Sequence, residues 1–187
     1  MNYIEDIHNY TPKNDQEIQD KKVIENCIRL FPDDVLQRDN EIAHFTGSGF
    51  ILNESLSKVL MIHHNIRNTW AWTGGHADGN SNLLEVAANE AVEETGVKVI
   101  PISRDIASLD VLTVFGHSKK GKYVNSHLHL SAAYLFFADE RDPTVVKPDE
   151  NSDVSWFSVD RINENLFSPR DVYLYTKLVR QAREWTL

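Results

Sequence analysis

Between Asn82 and Gly96 the chain specifies a helix at both ends and along one face. Asn82 followed by Glu85 imitates a capping box, with Asn in place of the usual hydroxyl residue. Gly96 fits the left-handed position just past a helix end. Leu84, Ala87, Ala88 and Ala91 make a narrow apolar stripe, which predicts packing on a sheet. Residues three and four apart on a helix share a side, so Glu90, Glu93 and Glu94 stand together. They crowd the last turns, where the helix dipole disfavours anions. The helix positions able to neutralise them are Val86, Ala87 and Asn89, none of them cationic. Such a cluster persists as a solvated face or as a cation site, and oxygen-only ligands suit hard ions such as Mg2+, Ca2+ or Mn2+.

Ahead of the helix, Gly74, Gly75 and Gly79 predict a loop with freedom for positive φ. A flexible loop entering a helix N-terminus is a natural seat for phosphate oxygens. Loop and helix together predict a phosphate cradle beside a carboxylate face.

At this point the residues resemble the Nudix hydrolases. That family carries a Gly, five residues, a Glu, seven residues, Arg-Glu, an aliphatic residue, any residue, Glu-Glu, any residue, Gly and an aliphatic residue. Here the pattern runs from Gly75 to Val97, matched by Gly75, Glu90, Ala91, Glu93, Glu94, Gly96 and Val97. Ser81 stands where the family has its first Glu, and Asn89 where it has the Arg that orients the neighbouring Glu. Asn89 makes no two-pronged ion pair. Asp78 is a candidate to replace the lost loop carboxylate.

The resemblance implies an α/β (mixed α+β) fold, a mixed sheet sandwiched between helices. It also implies a metal-dependent hydrolase of a phosphoanhydride bond in a nucleoside diphosphate linked to another group. Glu90, Glu93 and Glu94 are then the catalytic and metal-holding residues, with Mg2+ or Mn2+ as cofactor. A non-catalytic nucleotide sensor is the alternative, favoured by Ser81 and Asn89 and opposed by the retained glutamates. Isopentenyl diphosphate isomerase shares the fold, but its cysteine before the Gly-His pair is absent: Gly74 precedes Gly75-His76.

The 187 residues suffice for one domain with a full core. We expect a single Nudix domain over 1–187, with 1–40 as an N-terminal helical extension packed on it. The net charge of -9 argues against broad nucleic-acid or anionic-membrane binding. The partner expected is therefore a small-molecule nucleotide, and a homodimer is compatible. Cys27 is the lone cysteine, which fits a cytoplasmic home, and neither a signal peptide nor a membrane span is seen.

Residues 14–31 read as a helix with Ile24, Cys27, Ile28 and Phe31 on one stripe. Ile42 to Leu52 and Leu56 to His64 read as strands, as do Ala107 to Phe115, Tyr123 to Ala138 and Val154 to Ser158. Lys119 to Lys122 reads as a hairpin turn. Ser168-Pro169 starts a final helix that presents Val172, Tyr175, Leu178, Ala182 and Trp185.

Several polar residues are further candidates. His127 and His129 alternate along a strand and share a face, pointing to phosphate contact or metal ligation. His76, in the glycine loop, is a phosphate donor or a loop-stabilising side chain. With Gly74 and Gly75 these histidines make the expected substrate-binding set. Of His63 and His64, at most one lines the site. Lys147, Asp149 and Glu150 read as a solvated loop, and Trp70 and Trp72 as core.

Overall fold

The computed structural model describes residues 3–119 and 121–186. Two N-terminal helices, α1 (Tyr3–Asn9) and α2 (Asp15–Leu30), lead into strand β1 (Ala43–Leu52). Then come β2 (Lys58–His64), β3 (Thr69–Ala71), β4 (Thr73–His76), helix α3 (Leu83–Thr95), β5 (Ile100–Pro101), β6 (Ser108–Val114), β7 (His117–Lys119) and β8 (Lys122–Val124). The long strand β9 (His127–Phe137), β10 (Asn151–Ser158), a 3-10 turn and helix α4 (Pro169–Thr186) complete the chain. This is the expected mixed sheet between helices.

The sheet runs β10-β2-β1-β9-β5, with β3 on β2, β4 on β1 and β6 on β9. Strand β1 is its axis. It pairs in parallel with β9, which sets Gly47 beside Ala132 and His44 beside His129. It pairs antiparallel with β4, which sets Gly47 beside Gly75. Side chains alternate across a strand, so each register fixes which residues share a surface. One surface carries Phe45, Leu130, Ala132 and Phe136 under α2 and α3. The other carries Phe50, Leu52, Ala133 and Leu135 under α4.

Glycines in β1 allow α3 to lie on the sheet backbone to backbone. A Cβ on Gly47 would stand 2.6 Å from the Leu83 carbonyl oxygen and 2.8 Å from the Ala87 nitrogen. The stripe of Leu84, Ala87 and Ala91 is buried there, with Ala88 partly so. The helix ends are as expected: Asn82 Oδ1 accepts from the Glu85 N–H at 3.3 Å, and Gly96 caps the far end at φ +76. The capping box is half formed, because Glu85 turns its carboxylate to the Asn80 side-chain amide.

Helix α2 starts one residue later than expected, with Asn14 as its N-cap, and buries Ile24 and Cys27. Its first turns meet β6 and α4 through buried charges. Lys177 lies 3.1 Å from Glu17 and also pairs with Asp110, while Glu17 accepts from the Tyr10 hydroxyl at 2.7 Å. Helix α4 buries Tyr175, Leu178 and Ala182 as its period predicts.

Three expectations need correction. Gly74 and Gly75 lie in strand β4 rather than in a loop, and of the three glycines only Gly79 has positive φ, +87. The strand expected from Leu56 begins at Lys58, because Leu56 occupies a turn at φ +54. The strand expected over Tyr123 to Ala138 is broken at Asn125 and Ser126, whose polar groups tie this bend to Glu41 and Gly116. The turn at Lys119 to Lys122 closes the separate hairpin β7–β8, and its Lys120 lies outside the described residues.

Gly47→Ala is expected to cost about 1–3 kcal/mol by overpacking at the α3 contact. Urea unfolding of the variant reads this, and an unchanged midpoint would show that α3 does not rest on the backbone there.

Candidate active site

The glycines of β4 serve close approach, not turn geometry. A Cβ on Gly75 would stand 2.0 Å from Glu90 Oε1, so the Glu90 side chain occupies that space. One residue earlier, the Gly74 N–H donates to Glu94 Oε2 at 2.9 Å. Two of the three predicted carboxylates thus lie directly against the Gly74-Gly75 backbone.

Their environments differ from that of Glu93. Glu94 is only 3 % exposed. Burial pushes its carboxyl up to about 8, against the Gly74 N–H, and the charges of Glu90 and Glu150 push the same way. Glu90 is also raised, chiefly by burial, with Lys147 opposing and Glu150 and Glu93 adding. Glu93 is exposed and reaches Lys147 Nζ at 2.9 Å.

Lys147 and Glu150 therefore face the acidic cluster instead of forming a solvated loop apart from it. Lys147 bridges Glu93 and Glu150, the latter at 3.1 Å. Burial disfavours the Lys147 charge, but its two carboxylate partners outweigh that and raise its pKa. The loop is pinned by Asn151, which is fully buried. Its side chain donates to the Glu94 carbonyl at 2.9 Å and accepts from the Lys147 N–H at 3.2 Å. Val145 N–H bonds the Thr95 carbonyl at 2.8 Å. The cation missing from the helix arrives from over fifty residues away, where no helix periodicity would reveal it.

Asp78 does not join the glutamates. It forms a two-pronged pair with Arg38, Nε to Oδ1 at 2.7 Å and a terminal nitrogen to Oδ2, and Arg38 holds its carboxyl below the usual range. Ser81 and Asn89 are exposed. His63 contacts Ser152 at 3.0 Å and Trp70 edge-on, while His64 Nδ1 accepts from Ile66 N–H at 3.2 Å. Trp70 and Trp72 belong to the core beside Phe157 and Tyr175.

The predicted histidines gather on the opposite surface of the sheet. In the β1–β4 register His76 sits beside Thr46, and its ring lies 5.0 Å from that of His44 and 5.1 Å from that of His129. His127 and His129 approach Nε2 to Nε2 at 3.2 Å. His44 carried no local signal in the sequence, and only the parallel β1–β9 pairing brings it here. Burial lowers the His44 ring and pushes the His129 ring down to about 2, and neighbouring imidazoles add to this. His44 and His127 also line a cavity of about 300 Å³ with Arg38, Tyr123 and Asn125. Among the described residues, the one group of three His, Cys, Asp or Glu ligand atoms within 4.8 Å of one another is His44, His127 and His129. The glutamates are splayed, Glu93 being drawn to Lys147.

A family model described as the NUDIX domain matches residues 44–178. The chain belongs to the Nudix family. Divalent metals generally serve the hydrolases of that family. Among solved structures, a Nudix-family hydrolase from Clostridium perfringens is similar with TM-score 0.52 and 21% identity, covering 73% of this chain and 96% of that one. A C. elegans Ap4A hydrolase, solved as a binary complex, is similar with TM-score 0.50 and 15% identity, covering 76% and 96%. At these identities the likeness speaks for the fold.

The raised Glu94 pKa has a measurable consequence. The folded chain binds that proton more tightly than the unfolded chain, so stability is highest below the unfolded value and declines as pH rises toward about 8. In metal-free buffer, Glu94→Gln is expected to flatten the decline in unfolding free energy between about pH 5 and pH 8. An equal decline in the variant would contradict the assignment.

Proposed function

We propose that the chain is a divalent-metal-dependent hydrolase of a nucleoside diphosphate linked to another group, with Glu90, Glu93 and Glu94 holding Mg2+ or Mn2+. The observation that supports this best is the placement of Glu90 and Glu94 against the Gly74-Gly75 backbone. The donors are all oxygen, as hard ions require, and burial pushes the Glu94 carboxyl up to about 8, with the Glu90 and Glu150 charges adding to it. When bound, the ion neutralises diphosphate charge and lowers the pKa of a coordinated water.

The chain's own residues supply the rest. Gly74 and Gly75 let the Glu90 and Glu94 carboxylates close on the strand without a side chain in the way. Glu90 or Glu93 accepts the proton of the attacking water. Lys147 pairs with Glu93 and Glu150 and offsets part of the cluster's charge. His76, His127 and His129 offer substrate a second contact surface on the other side of β4, His127 and His129 through the ion proposed below, beside the Arg38–Asp78 pair. The substrate is a small nucleotide. No described helix is long and apolar enough to cross a membrane, and we read the chain as cytoplasmic.

Product release from a panel of ADP-ribose, dinucleoside polyphosphates, nucleotide sugars and nucleoside triphosphates, with Mg2+ or Mn2+, tests this. Turnover that requires the metal and falls by about 100-fold or more in Glu90→Gln is the expected result. Nucleotide binding without turnover across the panel would overturn it in favour of a sensor.

A further inference from the structure

We infer that His44, His127 and His129 form a second metal site, selective for a borderline transition ion such as Zn2+ and separate from the acidic helix. One ring nitrogen from each lies within 4.8 Å of the others. Two of the rings are already oriented as ligands. His44 Nδ1 lies 2.9 Å from the Asn40 carbonyl oxygen, and His127 Nδ1 lies 2.9 Å from the Asn125 carbonyl oxygen. A carbonyl only accepts, so Nδ1 carries the proton in both rings and each Nε2 presents its lone pair. Metal-bound histidines are held by the same kind of bond from the far nitrogen to a backbone carbonyl.

The second observation is an unmet need. His44 is 3 % exposed, and its Nε2 has no hydrogen-bond partner. A buried lone pair without a partner costs free energy unless something binds it. A tetrahedral ion with bonds of about 2.0–2.1 Å places neighbouring nitrogens about 3.3 Å apart. His127 and His129 already stand at 3.2 Å, where His129 Nε2–H donates to His127 Nε2, so the ion replaces that bond, releases its proton and needs a modest closing of His44 on the pair.

Chemistry selects the ion. Neutral imidazoles suit Zn2+, Co2+, Ni2+ or Cu2+, whereas Mg2+ prefers oxygen. Three protein ligands leave a tetrahedral ion one open position. Because His44 and His127 line the 300 Å³ cavity, that position is available to water or to an anionic oxygen held there near Arg38.

The test uses the full chain and no hydrolysis assay. After equilibrium dialysis against Zn2+ in excess Mg2+, elemental analysis of the wild type should find about one Zn2+ per chain. Co2+ in its place should give the visible absorption bands of a low-coordinate imidazole site. His44→Ala should weaken binding by more than the about 10–100-fold that loss of an outer partner costs. His129→Gln should do the same, with folding of each variant checked by circular dichroism, while Glu90→Gln keeps the ion. No Zn2+ on folded wild type, or Zn2+ lost with Glu90→Gln and kept by both histidine variants, would overturn the inference. Failure of the hydrolase assay would leave this result untouched.

Discussion

Everything at the acidic site depends on a helix and two strands meeting without side chains between them. At Gly47 the backbone of α3 touches the backbone of β1, and at Gly75 the Glu90 side chain fills the place of a Cβ. Because β1 and β4 are paired at these two glycines, one contact fixes the other. The apolar stripe of α3 supplies the attraction, and the glycines set how close it brings the carboxylates. A larger residue at either position would lift Glu90 and Glu94 off the strand.

That proximity creates an electrostatic debt, which the fold meets only in part. Glu94 has one backbone N–H, and Glu90 has no cation on its own helix. Lys147 comes from the loop before β10, held by Asn151, but it is engaged with Glu93 and Glu150. Anions converge here faster than the protein supplies positive charge. This imbalance is the physical argument for a cation, and it stands apart from the family resemblance.

Helices α2, α3 and α4 were legible in the sequence because their determinants are local, whereas the short α1 was not read. Asn82, Gly96 and Pro169 mark ends, and the 3.6-residue period marks buried faces. The long strands β1 and β9 were legible from apolar runs. Short strands were not: Thr73-Gly74-Gly75-His76 has turn composition, and only pairing with β1 makes it a strand. The glutamate trio followed from spacing along one helix. Lys147 and His44 did not, since each reaches its partners through strand order and loop packing that no local pattern encodes. His127 and His129 were recognised as sharing a face, yet their third member lies over eighty residues earlier in the chain.

The central claim is that a hard divalent ion binds where Glu90 and Glu94 meet the Gly74-Gly75 backbone. Amide NMR of the isotope-labelled protein during a Mg2+ titration tests it most directly, because Mg2+ is diamagnetic and the strand reports its own surroundings. The account predicts saturable shifts of the Gly74 and Gly75 amides that disappear in Glu94→Gln. Shifts confined to other parts of the chain, or equal shifts in the variant, would contradict it.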